Sequence, residues 1–214
     1  MNIYRDFSSK MLIDMKRELM ILTDSIENYL YILLHSYKEN KVEELKSLKK
    51  GVKKDKILAI KKSIKQINKD YINKHPKIIT FVGLYIKFIA VLERIFDVVR
   101  HIIETSISLI KENISYIKNF IIEIISFVIN IFHNAITALI DNDITSLKNF
   151  LSVDDDIRDI KFNFSKEIAR FLSKEEFKRE ALTIIYKVVS IIEDFNKILY
   201  SILEFSDIYL RFKI

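Results

Sequence analysis

The sequence predicts an all-α protein made of two tandem, pseudo-symmetric three-helix bundles, six long antiparallel helices in all, and three observations predict it. Two glycines and one proline in 214 residues are too few for the turns of a β architecture. Apolar residues recur at three- and four-residue steps over long stretches, the period of a helix face rather than of a strand. The run Leu92-Glu93-Arg94-Ile95-Phe96-Asp97, with Ile102 and Glu104, returns without a gap as Ile192-Glu193-Asp194-Phe195-Asn196-Lys197, with Ile202 and Glu204. That return is an internal duplication.

Each element follows from local signals. The first helix starts between Ile3 and Ser9 and runs to about Tyr37, with Met11, Met15, Leu19, Leu22, Ile26, Leu30 and Leu33 on one face. A turn near residues 38–41 leads into a second helix over 42–72, open to interruption at Gly51, whose face carries Ile57, Ile60, Ile64 and Ile67. Asn73 and Pro76 combine a cap with a first-turn proline and start the third helix. Its end is poorly marked: Thr105, Ser106, Ser108 and the Asn113–Ser115 step are the candidates, and the division is placed at 1–107 and 108–214. A fourth helix follows to Ile140. Asp143 then caps a fifth helix over 144–173, and Ser173 with Glu175 and Glu176 opens a sixth that runs to about Leu210.

Composition excludes several classes. With no cysteine the chain has no disulfide, thiolate zinc site or cysteine nucleophile. Arg5, Asp6, Lys10, Asp14, Lys16 and Arg17 interrupt anything resembling a signal peptide, and the expected location is cytoplasmic. The longest run without a charged residue, 124–140, is short of the roughly 20 apolar residues of a spanning helix. It also belongs to a polar stripe, Asn119, Glu123, Ser126, Asn130, His133, Asn134, Thr137 and Asp141, of the kind a central bundle helix carries.

The formal charge of +6 is concentrated. Residues 37–78 hold fourteen lysines against five acids, a pattern compatible with nucleic acid or an anionic membrane surface. Aromatic and arginine interleaving is poor there, which favours a solvated helix face over nucleic-acid binding.

Residues 92–102 resemble the PhoU family of phosphate-uptake regulators, whose helices carry a signature close to Leu-Glu-Arg-Ile-Gly-Asp-His-Ala-x-Asn-Ile. Leu92, Glu93, Arg94, Ile95, Asp97 and Ile102 match it, and Pro76 stands where the family often opens this helix. Phe96 replaces the glycine, His101 stands at the asparagine, and Lys197 replaces the aspartate in the second copy. The resemblance implies two similar three-helix bundles side by side. It also implies a non-enzymatic cytoplasmic regulator that docks on the phosphate transporter's ATPase and on a sensor kinase, without a small-molecule substrate.

Glu93 and Asp97 are the sharpest local feature. Like charges at i and i+4 repel by about 0.2–0.5 kcal/mol, so the pair calls for a cation. In the PhoU family such a pair is associated with iron or zinc on the bundle surface. Carried over by position, the metal ligands are Glu93 and Asp97, with His101 a further turn along, and a carboxylate–imidazole set suits a divalent transition metal. A cross-helix ion-pair network is the plainer reading of the same residues. Glu193 and Lys197 form an attractive i,i+4 pair that needs no metal, so any metal belongs to the first half.

Catalysis has little support. The four histidines form no His-Glu-x-x-His set, two glycines make no phosphate loop, and His35 and His133 stand among apolar residues where a packed histidine is expected. Besides phosphate regulation by docking, the sequence leaves open a nucleic-acid- or membrane-surface-binding protein using residues 37–78, and a metal-binding helical protein. Homodimerisation is compatible with the surplus of apolar residues.

Overall fold

The computed structural model describes residues 3–51, 78–112, 114–141, 143–150 and 179–213, with isolated positions between 62 and 66 and between 158 and 173. The described residues form helices α1 (Ile3–Glu39), α2 (Glu43–Gly51), α3 (Ile78–Glu112), α4 (Ser115–Asp141), α5 (Ile144–Phe150) and α6 (Arg179–Lys213), with no strand among them. The all-α class is as the composition requires. The Pro76 start, the apolar face of the second helix beyond Gly51 and most of the lysine-rich segment lie outside the described residues.

The helices end for local reasons. After α1 the chain reverses at Asn40, which adopts a left-handed φ of 57° that asparagine tolerates better than most residues, and the Lys41 amide bonds back to the Ser36 carbonyl at 3.0 Å. Helix α3 does not end at its serines and threonine. The Ser108 hydroxyl donates to the Thr105 carbonyl at 2.9 Å, so these residues satisfy themselves inside the helix instead of stopping it. A division at 107/108 therefore falls inside α3, which runs to Glu112. Asp143 caps α5 as expected, its carboxylate accepting from the amides of Thr145 at 3.0 Å and Ser146 at 3.1 Å.

Each repeat is a three-helix unit, with α2 packed on α1 and α3 and α5 packed on α4 and α6. The repeats join through two antiparallel pairs, α1 with α4 and α3 with α6. One continuous core results, with Ile26 and Leu30 from α1, Leu92 and Ile95 from α3, Ile121 and Val128 from α4, and Ile191 and Phe195 from α6. The short helices plug it in equivalent fashion. Leu45 of α2 and Leu147 of α5, 102 positions apart, are both wholly buried.

Residues Ile117–Asp141 are long and apolar enough to cross a membrane by length and composition. In the bundle, however, the helix exposes its polar stripe, Asn119, Glu123, Ser126, Asn130, His133, Asn134 and Thr137, and buries Ile121, Ile125, Val128 and Phe132 against α1 and α6. A lipid-facing helix would turn the apolar side outward. Both histidines expected in the core lie on the surface instead: His35 pairs with Glu39 at 3.2 Å and His133 with Glu27 at 2.7 Å. Their sequence neighbours are apolar, but their place in the 3.6-residue period is on the polar face.

Candidate functional site

The repeated segments meet along the α3–α6 pair, where the apolar positions bury and the charged positions are left lining a groove. Leu92, Ile95, Val99 and Ile102 of α3 and Ile192, Phe195, Ile198 and Ile202 of α6 are buried in the core, all 3% exposed or less, while Ala90, Val98 and Ser190 are the uncharged residues that line the groove. The groove encloses about 500 Å³ and is lined by Glu93, Arg94, Asp97, His101, Asp194 and Lys197 among others. Antiparallel packing places Arg94 beside Glu204, at 2.6 Å, toward one end and His101 beside Asp194 toward the other.

Asp194 is the unusual member. Its side chain is 4% exposed, and both carboxylate oxygens are taken: Oδ2 by Nδ1 of His101 and Oδ1 by Nζ of Lys197 at 2.7 Å. The bond to Asp194 raises the Lys197 ammonium above its ordinary range, with a further attraction from Glu193. The expected Glu193–Lys197 attraction is present, but the close ion pair of Lys197 is with Asp194, which faces α3 while Glu193 is exposed. Sequence reasoning did not single out Asp194. The signal was its register: it falls three residues after Ile191 and four before Ile198, on the apolar stripe, where a charge needs partners.

Glu93, Asp97 and His101 all line the groove, as the stripe predicted. They do not converge on one point. Residues i, i+4 and i+8 climb about 12 Å along a helix, too far for three side chains to share one ion at roughly 2 Å, although adjacent members can. Among the described residues no group of three His, Asp or Glu side chains is gathered as a metal set. Asp97 instead lies 4.0 Å from Arg100, and His101 is held by Asp194. What the groove presents is a network of charges bridging the two repeats.

Phe96, where the PhoU signature has glycine, points into the core at 6% exposure and packs on Tyr29 of α1 with ring centroids 5.3 Å apart. The ring fills space that a glycine would leave to a closer helix approach.

Two three-helix repeats joined through antiparallel α1–α4 and α3–α6 pairs define a duplicated, all-helical bundle of the PhoU type. The chain is similar in structure to PhoU from Pseudomonas aeruginosa, with a TM-score of 0.80 over 96% of this chain and 98% of that one, at 13% sequence identity. At that identity the likeness is one of fold, and it bears out the resemblance read from Leu92 to Ile102. No family model and no curated protein matches the sequence.

Proposed function

We propose that this chain is a non-enzymatic, cytoplasmic regulator of phosphate uptake and phosphate signalling that acts by docking on other proteins. The observation that supports this reading is the shared fold across nearly the whole chain, added to the signature residues at 92–102. The docking face of this reading is the α3–α6 groove, where Arg94, Asp97 and His101 are exposed on α3, whose opposite face is buried in the core. Charge on such a rim governs which partner is chosen and how fast it associates more than how tightly it binds. The expected partners are the ATPase of a phosphate transporter and a phosphate-responsive sensor kinase.

The test is co-purification of the chain with those two proteins from its own cells, with Glu93→Lys/Asp97→Lys beside the native form. Capture of either partner, reduced at least tenfold by the double reversal at unchanged helicity, is the expected result. Retention of neither partner at high or low phosphate contradicts the reading.

Metal binding is a proposal of narrower scope. The residues that suit it are the adjacent Glu93 and Asp97, with exposed partners completing the shell. Elemental analysis of protein purified without chelator is expected to find at most one iron or zinc per chain, lost in Glu93→Gln/Asp97→Asn. Lys197 stands at the second-half equivalent of Asp97, so two equivalent sites would contradict the assignment.

A further inference from the structure

The duplication gives the core two equivalent ends, and they are packed differently. Where α1 and α3 finish and α4 begins, Tyr37, Leu109, Ile110 and Ile117 leave a residual space of about 10 Å³. Tyr37 accounts for much of this closure: its ring is 1% exposed and its hydroxyl donates to Ser106 Oγ at 2.9 Å. At the opposite end Leu139 stands 102 positions after Tyr37, and Ser206, one hundred after Ser106, turns its hydroxyl back to the Ile202 carbonyl at 3.0 Å. With leucine in place of the phenol, that end contains a cavity of about 350 Å³ walled by Leu84, Phe88, Leu92, Leu139, Phe205 and Tyr209.

That volume falls within the range of about 300–1,000 Å³ typical of small-molecule sites, whereas ordinary cores hold few voids larger than a water molecule. Apolar walls of this kind do not hold water well. Ile13 and Met20, 64% and 43% exposed, continue the apolar lining to the surface. Thr23, the other polar residue of α1 on the wall, spends its hydroxyl on the Met20 carbonyl at 2.9 Å. Lys16 is the charged residue among the described lining residues. Its ammonium donates to the Ile140 carbonyl at 3.3 Å and carries two further donors. An apolar chamber with the Lys16 cation at its edge selects a hydrocarbon that ends in an anion.

We propose that this cavity binds the acyl chain of an anionic amphiphile, with the anionic head on Lys16. A free long-chain carboxylate and the single chain of an anionic lysolipid share this chemistry. The native full chain is to be titrated with cis-parinaric acid, a fluorescent long-chain carboxylate, and with its methyl ester. Saturable uptake of one acid per chain is expected, at least tenfold tighter than the ester. Leu139→Tyr, which installs at this end the residue that closes the other, is expected to weaken binding at least tenfold, and so is Met20→Trp at the exposed rim, where folding is not at stake. Lys16→Glu is expected to weaken the acid and leave the ester unchanged. Displacement by palmitate identifies a free carboxylate as the ligand class, and displacement by lysophosphatidylglycerol alone identifies a lipid. Absence of saturable uptake by the native chain, or undiminished affinity in Met20→Trp and in a folded Leu139→Tyr, overturns the proposal.

Discussion

Lys16 and Lys118, 102 positions apart, make the same bond in opposite directions across the α1–α4 pair. Lys16 donates to the carbonyl of Ile140 and Lys118 to that of Lys38, both at 3.3 Å, and the two acceptors are themselves 102 positions apart. Each lysine sits at the C-terminal end of the partner helix, where free carbonyls and the macrodipole favour a cation. The duplication is therefore visible as a near two-fold relation between the repeats, down to single contacts.

Replacing either lysine by methionine is expected to cost little, about 0.3–1 kcal/mol each, since Lys16 is exposed and Lys118 is only partly buried. Lys118 also bonds Asn40 Oδ1 at 2.9 Å and should be the more costly loss. The two sites are at opposite ends of the helix pair, so urea denaturation should find their effects additive. A coupling well above 0.5 kcal/mol would show that the ends communicate through the core.

Asp194 makes a sharper case, because its carboxylate is buried while its partners His101 and Lys197 remain half exposed. Removing the acid leaves an imidazole and an ammonium that water can solvate, so Asp194→Asn is expected to cost on the order of 1 kcal/mol. Removing both partners in His101→Leu/Lys197→Met strands a buried anion and is expected to cost about 3 kcal/mol. Adding Asp194→Asn to that double variant should recover most of the loss in chemical denaturation. If the triple variant is no more stable than the double, burial of the charge is not the source of the cost.

Long helices and the 100-residue repeat follow from periodicity, which records which face each residue shares, whereas the packing of Phe96 on Tyr29 came with the structure. Periodicity does not say which helix lies opposite. For that reason Asp194 as the acceptor of both His101 and Lys197, and Glu204 as the partner of Arg94, came only with the α3–α6 pairing. The end of α3 was left open between 105 and 115 for a different reason: its serines and threonine look like a turn by composition, yet the Ser108 hydroxyl is satisfied within a helix that runs on to Glu112. Phe96→Ala is expected to cost about 3–4 kcal/mol as the contact with Tyr29 is lost and a cavity forms. A cost below about 1 kcal/mol would mean that α1 and α3 close the gap, as the glycine of the family signature would allow.

Two tyrosines predict the response to alkali. Burial pushes the Tyr37 phenol well above its ordinary range, against a smaller opposing effect of the Ser106 bond, and pushes Tyr85 up to about 12, with Tyr209 adding to it. Lys197 is raised as well, by Asp194. In all three the folded form holds its proton more tightly than the unfolded chain, so the stabilisation is fully present below the ordinary values of 10.0 for tyrosine and 10.5 for lysine. It is lost as pH rises, for Tyr85 across the window from 10.0 to about 12. Each tyrosine that ionises only when unfolded steepens the fall by about 1.4 kcal/mol per pH unit. Tyr85→Phe should flatten the decline above pH 10.0 while leaving the stability near neutrality within about 1 kcal/mol of the native chain. Tyr37→Phe should flatten it too, but from a lower starting point, because the Ser106 hydroxyl loses its buried partner at a cost of about 1–2 kcal/mol. Denaturation curves for the native chain and both variants, from neutral pH upward, decide the matter: an equally steep decline in all three would place the alkaline sensitivity elsewhere in the molecule.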